Sequence, residues 1–233
     1  MIREGPARGG PRRPALARVR RSLVWGTVLG VLILGAGLVG YYSPQQARAM
    51  VRALADPILL ARVERFAPDI RAAALESELD PNLIAGLVYA ESSGNPAAVS
   101  SVDALGLMQL REDAVSDSAK RLGIEVPTRE QLLTNPALNL RLGAAHFAWT
   151  LEHEGGELER ALVAYNAGRA KLRRWIREAG GYTAWRAERA AAGNSEVLAY
   201  AARVLDYAEV FRERGRVTGG AANPSAHEID QTP

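Results

Sequence analysis

The chain has 233 residues, of which 48% are hydrophobic, 24% charged and 6% aromatic, and none is cysteine. This composition excludes a natively unfolded protein, a disulfide scaffold, a thiolate zinc site and thiol catalysis, but it leaves the cellular compartment open. The formal net charge of +3 is uneven, because residues 1–21 hold seven Arg against one Glu. The excess of positive charge therefore belongs to the N-terminus.

An uncharged run follows this basic segment. The 20 residues from Leu23 to Tyr42 carry no charge, and a helix of that length spans about 30 Å, the thickness of the bilayer hydrocarbon. We expect one transmembrane helix over residues 22–42, with residues 1–21 in the cytoplasm by the positive-inside rule. A cleaved signal peptide is the alternative, although its apolar core should be shorter. A buried core helix would rarely be apolar on all sides beside so many arginines.

The rest of the chain predicts an all-α fold. An Asp-Pro or Asn-Pro pair, typical of helix starts, occurs at residues 56–57, 80–81 and 135–136. Apolar residues then recur at steps of three and four, and no stretch alternates with the period of a strand. Three glycines are expected to close helices in the left-handed conformation, namely Gly123, Gly168 and Gly180.

The same patterns divide the chain into segments. A connector and helical lead-in are predicted over residues 43–62, and a helical domain over residues 63–212. Residues 213–233 lack periodicity and are expected to form a disordered tail.

Glu91 breaks the apolar pattern of the helix predicted to start at Pro81. It follows Ile84, Leu87 and Val88 by seven, four and three residues, so it lies on the same apolar face. Partial burial and the negative end of the helix dipole both disfavour the anion, which raises the pKa towards the range of a general acid. Alternatively, Glu91 extends to solvent or pairs with an arginine.

Several ordered motifs resemble those of the soluble-lytic-transglycosylase (SLT) type of peptidoglycan lyases. They are Glu-Ser-Ser-Gly-Asn-Pro at 91–96, Ala-Leu-Gly-Leu-Met-Gln-Leu at 104–110, and Ala-Tyr-Asn-Ala-Gly at 164–168 followed by Trp175. A fourth segment, Ser-Glu-Val at 195–197 with Tyr200 and Arg203, is similar to the family's Glu-Thr and Tyr segment, with Val197 where threonine is usual. Glu112 also departs from the pattern, because the family commonly has proline there.

The resemblance implies a lysozyme-like helical fold and names Glu91 as the only catalytic acid and base. Glu91 would protonate the bond between N-acetylmuramic acid and N-acetylglucosamine. It would then take a proton from the muramoyl 6-hydroxyl, which closes a 1,6-anhydro ring. A hydrolytic muramidase and a non-catalytic glycan-binding or scaffold protein are the alternatives.

The resemblance also implies roles for residues around the acid. The implied substrate-binding set is Ser100, Met108, Gln109, Tyr165, Asn166, Glu196 and Tyr200. Tyr200 is expected to hydrogen-bond Glu91. Five of these residues have a structural alternative: Gln109 and Asn166 as helix caps, Met108 and Tyr165 as core, and Glu196 as a helix-start acid.

Other chemistries and partners fit the sequence poorly. His146 and His153 share one predicted helix without a third ligand, and neither a phosphate-binding loop nor a Gly-x-Ser-x-Gly elbow occurs, so we expect no metal and no cofactor. The basic run at residues 169–177 interleaves apolar residues at helical spacing, which is typical of a solvated face rather than a nucleic-acid site. The expected partners are glycan strands and, through one helix, the bacterial cytoplasmic membrane, with the helical domain on its extracytoplasmic side.

Overall fold

The computed structural model describes residues 56–219, and this part of the chain is helical, as the sequence predicts. Within it, extended backbone pairs only at two isolated bridges, Val99 with Leu105 and Leu105 with Leu110. No helix of the described range combines the length and the apolar character that crossing a bilayer requires. The predicted transmembrane helix over 22–42 lies outside the described residues, as do residues 1–21.

A helical segment at residues 56–64 opens the described part, and nine labelled helices follow it. They are α1 (Ala67–Ser77), α2 (Pro81–Ser92), α3 (Glu112–Leu122), α4 (Arg129–Thr134), α5 (Pro136–His153), α6 (Leu158–Ala167), α7 (Arg169–Glu178), α8 (Tyr182–Ala191) and α9 (Glu196–Arg214).

Two predicted helix starts are confirmed by their caps. The carboxylate of Asp80 accepts a hydrogen bond from the backbone N–H of Asn82 at 2.8 Å, and α2 begins at Pro81. The side chain of Asn135 accepts from the N–H of Leu138 at 3.1 Å at the start of α5. In both cases a side-chain oxygen satisfies an N–H that the first helical turn leaves unpaired.

The predicted glycine caps have different outcomes. Gly123 ends α3 in the left-handed conformation, as expected. Gly168 ends α6 at φ 86° and ψ 132°, outside the left-handed helical region, because the same residue precedes the first residue of α7 and the chain must turn there. The cap of α7 is Ala179, and Gly180 follows it at φ 78°, so the prediction for Gly180 is displaced by one residue.

Helix α2 lies at the centre of the core, and eight of its twelve residues are buried. It packs along α9, and α6 also packs on α9, while α1 and α3 pack on α5. Gly86 permits the close approach of α2 to α9, because an added Cβ there would lie 2.5 Å from the Val204 carbonyl oxygen. This approach matters for the site, since α2 carries Glu91 and α9 carries Tyr200.

Ordered structure extends past residue 212, where the sequence predicts the tail to begin. Helix α9 continues to Arg214, whose Nε donates to Glu64 at 2.5 Å. Val217 is fully buried, and its carbonyl accepts a hydrogen bond from Arg71 at 2.7 Å. These contacts come from residues about 150 positions upstream, so local periodicity carries no sign of them. Residues 220–233 lie outside the described range.

Candidate active site

Glu91 lies in the last turn of α2 and faces α9. Helix α2 ends at Ser92, and Ser93 follows in the left-handed conformation at φ 51°. The hydroxyl of Tyr200, a buried residue of α9, donates a hydrogen bond of 2.5 Å to Glu91 Oε1. The Glu91–Tyr200 pair joins two helices that are 109 residues apart in the chain.

Burial raises the pKa of Glu91 from 4.5 to about 7, which is the largest influence on this group. The Tyr200 hydrogen bond and the positive charge of Arg203 both lower the pKa, but they do not cancel the effect of burial. The carboxyl therefore changes protonation state near neutral pH. This property suits a side chain that must first give a proton and then take one back.

Two tyrosines remain protonated near this carboxyl, and one of them, Tyr200, is in direct contact with it. Burial raises the pKa of Tyr200 and of Tyr165 well above 10, and the negative charge of Glu91 raises both further. The electrostatic effect of Glu91 on Tyr165 shows that the α6 tyrosine belongs to the same neighbourhood. Both side chains therefore act as hydrogen-bond donors at neutral pH.

The loop between α2 and α3 is held by a buried amide. Asn139 of α5 is fully buried, and its Nδ2 donates to the carbonyl of Leu105 at 3.0 Å. Its Oδ1 accepts from the N–H of Met108 at 3.0 Å. Ser92 adds a further tie, because its hydroxyl donates to the carbonyl of Leu107 at 2.9 Å. The backbone of residues 105–108 is thus fixed against α2 and α5.

Met108 connects this loop to α6. Its side chain is fully buried and packs on Gly143, where an added Cβ would lie 2.3 Å from the Met108 sulfur. Its carbonyl accepts a hydrogen bond of 2.9 Å from the hydroxyl of Tyr165. The methionine therefore contributes its backbone to the positioning of Tyr165 and its side chain to the core.

Gln109 adopts a backbone conformation that is uncommon for a residue with a side chain, with φ at 47°. Its Nε2 donates to the carbonyl oxygens of Gly106 at 3.0 Å and of Ala98 at 3.2 Å. The amide thus closes the loop on itself, and its carbonyl end remains an acceptor that a ligand N–H can use.

A cleft of about 280 Å³ opens between the loop and helices α3, α5, α6 and α7. Gln109, Tyr165 and Asn166 all line it, so the structure brings these three predicted residues together. Asn166 is exposed and adjoins Tyr165, the residue that senses the charge of Glu91. The cleft therefore has hydrogen-bonding groups along its wall, whereas Glu91 and Tyr200 are not among its lining residues.

The cleft wall also carries charged groups. Trp149 of α5 lines it, and the guanidinium groups of Arg121 and Arg169 lie 4.3 Å and 4.5 Å from the centre of its ring. Asp113 and Asp117 of α3 also line the cleft. Because two guanidinium groups occupy positions over the indole, Trp149 holds the charged groups at the rim rather than offering a free face for stacking.

His146 lies in the wall of the cleft as a neutral side chain. Burial lowers its pKa to about 4, and the positive charge of Arg121 contributes in the same direction. Its Nδ1 has no hydrogen-bond partner among residues 56–219. At neutral pH the ring carries no charge, so it adds no cation to the cleft.

Glu154 anchors the turn that carries Arg169. Its carboxylate is 1% exposed and accepts from Arg160 Nε at 2.7 Å and from Arg169 Nε at 2.9 Å. Arg169 also donates to the carbonyl of His153 at 3.2 Å. The end of α5 and the start of α7 are thereby joined, and the segment with Tyr165 and Asn166 lies between them.

Two predicted binding residues lie apart from these contacts. The hydroxyl of Ser100 accepts hydrogen bonds from the N–H groups of Val102 and Ala104, so it supports a turn within the loop. Glu196 is exposed in the first turn of α9, where an acid suits the positive end of the helix dipole.

Sequence reasoning missed Asn139 and Trp149 as contributors to the site. Asn139 interrupts a leucine-rich stretch of α5, the same signal of a polar residue on an apolar face that drew attention to Glu91. Trp149 is three residues after His146 on the same helix, but its partners Arg121 and Arg169 belong to other helices. Only the fold reveals that grouping.

Comparison with known families places this architecture. A family model described as the transglycosylase SLT domain matches residues 69–187, just over half of the chain. This range contains Glu91, the loop and the cleft, and it ends before Tyr200.

Two similar proteins cover parts of the same range. A transglycosylase of Enterobacteria phage PRD1 is 41% identical over 102 residues, which are 42% of this chain and 33% of that protein. A membrane-bound lytic murein transglycosylase C from Histophilus somni (strain 2336) is 38% identical over 86 residues, which are 36% of this chain and 24% of that protein. The match therefore spans a third or less of each relative's length.

A solved structure is similar to the helical fold. Lytic transglycosylase Slt from Pseudomonas aeruginosa, determined as an inactive Glu-to-Gln variant, superposes with a TM-score of 0.55 and 26% identity. The superposition covers 66% of this chain and 24% of that structure. The predicted helical fold of this family is thus supported independently of the sequence motifs.

Proposed function

The chain belongs to the transglycosylase SLT domain family, and from this premise we propose that it is a peptidoglycan lytic transglycosylase with Glu91 as its single catalytic acid and base. The observation that carries the proposal is the 2.5 Å hydrogen bond from Tyr200 to Glu91, a carboxyl whose pKa burial raises to about 7. A carboxyl of this kind holds a proton at neutral pH and releases it to a leaving group.

The first step is protonation of the glycosidic oxygen between N-acetylmuramic acid and N-acetylglucosamine. The Glu91 proton moves to this oxygen as the bond to C1 breaks, which leaves positive charge at C1 and a carboxylate at Glu91. Tyr200 then hydrogen-bonds the anion, and Arg203 lowers the pKa of Glu91, so both stabilise the charge that develops.

The second step uses the same side chain as a base. Glu91 takes the proton of the muramoyl 6-hydroxyl while that oxygen attacks C1, which gives a 1,6-anhydro ring and restores the neutral acid. The nucleophile is part of the substrate, so its attack is intramolecular and gains effective molarity. No water is consumed. The charged group that shifts the pKa of Glu91 within the described residues is Arg203 rather than a carboxylate, which supports a mechanism with one acid.

Substrate binding in this proposal follows the cleft. Gln109 and Asn166 offer amide groups to the N-acetyl and hydroxyl groups of the glycan, and Tyr165 lines the same cleft. Met108 acts through its carbonyl bond to Tyr165. Ser100 and Glu196 act at a distance, through the conformation of the loop and the start of α9.

We also propose that residues 22–42 hold the enzyme in the bacterial cytoplasmic membrane with the helical domain outside. The support is the uncharged run from Leu23 to Tyr42 beside a basic segment, together with the membrane-bound relative. Carbonate extraction of membranes tests it: the full chain should stay in the pellet, and a chain without residues 22–42 should enter the supernatant.

Product analysis tests the chemistry. Purified peptidoglycan is digested with the full chain, with Glu91→Gln and with Glu125→Gln, which makes the same change at an exposed loop position. Mass spectrometry should find anhydro ends, lighter than hydrolysis products by one water, with the wild type and with Glu125→Gln only. Hydrolysed ends would assign a muramidase. Binding to the wall without release of any fragment, unchanged by Glu91→Gln, would assign a non-catalytic binding protein.

A further inference from the structure

Helices α7 and α8 present a strongly basic surface, which we call the basic face and define by Lys171, Arg173, Arg177 and Arg189. All four side chains are exposed. Residues 169–189 hold seven Arg and Lys against two Glu, whereas the rest of the described range holds thirteen basic against twenty-one acidic residues. Positive charge is therefore concentrated on one part of a domain that is otherwise acidic.

The four cations of the basic face form no ion pair with any carboxylate of residues 56–219. Neighbouring arginines do pair: Arg186 with Glu159 at 2.6 Å and Arg174 with Glu178 at 3.8 Å. Unpaired like charges on adjacent turns repel one another and reduce the stability of the fold. An external anion would relieve this repulsion.

The two helices are fixed together beneath these cations. Trp175 of α7 stacks on Trp185 of α8 with ring centres 5.7 Å apart and planes 10° apart. Lys171 Nζ and the guanidinium of Arg189 lie 5.0 Å and 5.7 Å from the centre of the same Trp175 ring. Lys171 and Arg189 thus gather around one indole, whereas Arg173 and Arg177, which are four residues apart, share another exposed side of α7.

The basic face begins at the edge of the cleft. Arg169 is the first residue of α7 and also lines the cleft beside Asn166. A polymer that occupies the cleft therefore passes next to α7. Groups that hang from such a polymer can reach the exposed cations of α7.

The surroundings of the basic face favour carboxylates over a lipid bilayer. The apolar side of α7 is turned inward, because Leu172 is fully buried and Trp175 packs on Trp185. The exposed large hydrophobic residues of the described range all lie outside α7 and α8. Helices that bind membrane interfaces instead insert an apolar face into the lipid.

We propose that the basic face binds the carboxylates of the peptides attached to the peptidoglycan glycan strand, and so holds the insoluble wall beside the cleft. This proposal rests on the proposed function, because the strand in the cleft brings the peptides to α7. It assigns Arg173 and Arg177 to substrate retention, apart from the bond-breaking step at Glu91.

The test measures binding in a chain that does not cut. Full-length Glu91→Gln is co-sedimented with sacculi over a range of salt concentrations, before and after the sacculus carboxyls are converted to amides. Adding Arg173→Glu and Arg177→Glu should weaken binding to untreated sacculi about tenfold, flatten the salt dependence, and leave binding to amidated sacculi unchanged. The matched control instead adds Arg65→Glu and Lys120→Glu, which change two exposed cations outside the basic face. It should alter neither the affinity for untreated sacculi nor its salt dependence.

Three outcomes would overturn the proposal. The first is that the basic-face and control variants bind untreated sacculi equally well. The second is that the basic-face variant loses as much affinity for amidated sacculi as for untreated ones. The third comes from the same sedimentation with vesicles that contain phosphatidylglycerol: a loss of binding to these vesicles alone would assign the surface to lipid. Circular dichroism of both variants establishes that each is folded. Failure of the proposed function is seen separately, as the absence of anhydro products from the wild-type chain, because every binding measurement uses a chain without the Glu91 acid.

Discussion

Glu154 and Glu91 are both withdrawn from solvent, and they have opposite surroundings. Glu154 is 1% exposed and meets two guanidinium groups, those of Arg160 and Arg169. Glu91 is partly buried and meets a tyrosine hydroxyl, with Arg203 acting only as a nearby charge. The paired carboxylate ties helices together through these two guanidinium groups. The other is free to change protonation state, so the neighbours decide the role of the residue.

The largest expected difference between the two is in activity. Glu91→Gln removes the proposed proton donor, and kcat on peptidoglycan should fall by about a thousandfold. Glu154→Gln leaves Glu91 in place, and its kcat should stay within about tenfold of the wild type at a temperature where the protein is folded. Release of soluble fragments from sacculi measures both. A Glu91→Gln chain that keeps more than a tenth of the activity would contradict the role of Glu91.

Stability should rank the two variants the other way round, with Glu154→Gln less stable than Glu91→Gln. Glu154→Gln leaves two guanidinium groups facing an amide, and breaking a buried pair costs about 3 kcal/mol when its partners retain some contact with water. Arg160 and Arg169 do retain such contact. Urea unfolding at pH 8 should therefore show a lower midpoint for Glu154→Gln. The exposed change Glu125→Gln is the control. An unchanged midpoint for Glu154→Gln would show that the ion pairs of Glu154 do not stabilise the fold.

Glu91 should make the stability of the fold depend on pH. Its pKa is about 7 in the folded state against 4.5 when unperturbed, so the folded state retains this proton to a higher pH than the unfolded state does. Stability from this group therefore falls as pH rises from about 4.5 to 7. Glu91→Gln should match the wild type at pH 4 and exceed it by up to about 3 kcal/mol above pH 7. If the difference in free energy of unfolding between Glu91→Gln and the wild type is the same at every pH, the pKa of Glu91 is not shifted by the fold.

The smallest expected effect concerns the hydrogen bond to Glu91. This bond lowers the pKa of the carboxyl, so Tyr200→Phe should move the alkaline limb of the pH-rate profile to higher pH. The rate should fall about tenfold, as for loss of one hydrogen bond to a charged group. Tyr207→Phe removes a hydroxyl on the same helix that bonds Asp56 instead, and it should leave the pH profile in place. If both variants shift the pH-rate profile, the effect comes from a general change in α9 and not from the hydrogen bond to Glu91.

The features that depend on local sequence pattern could be predicted from the sequence. Glu91 was recognisable because it lies on an apolar face, and the Asp80 and Asn135 caps because a capping residue precedes proline. The bond to Tyr200 was expected from the family resemblance. Periodicity alone would not have paired residues 109 positions apart.

Other contacts could not be predicted because their partners meet only through the fold. Glu154 is one of several acids near the end of α5, and nothing local distinguishes it from Glu152, which is exposed. The two cations over Trp149 come from α3 and α7. The C-terminal contacts of Val217 have the same character, which is why the predicted tail began too early.

The backbone of Gln109 carries a cost that reveals a compromise. A residue with a Cβ at φ 47° is less favourable by about 1 kcal/mol than glycine would be at the same position. Glycine would relax the chain there but would lack the amide that bonds Gly106 and Ala98 and borders the cleft. Ranking variants by heat resistance alone would therefore favour replacement of Gln109, and would discard an amide that lines the cleft.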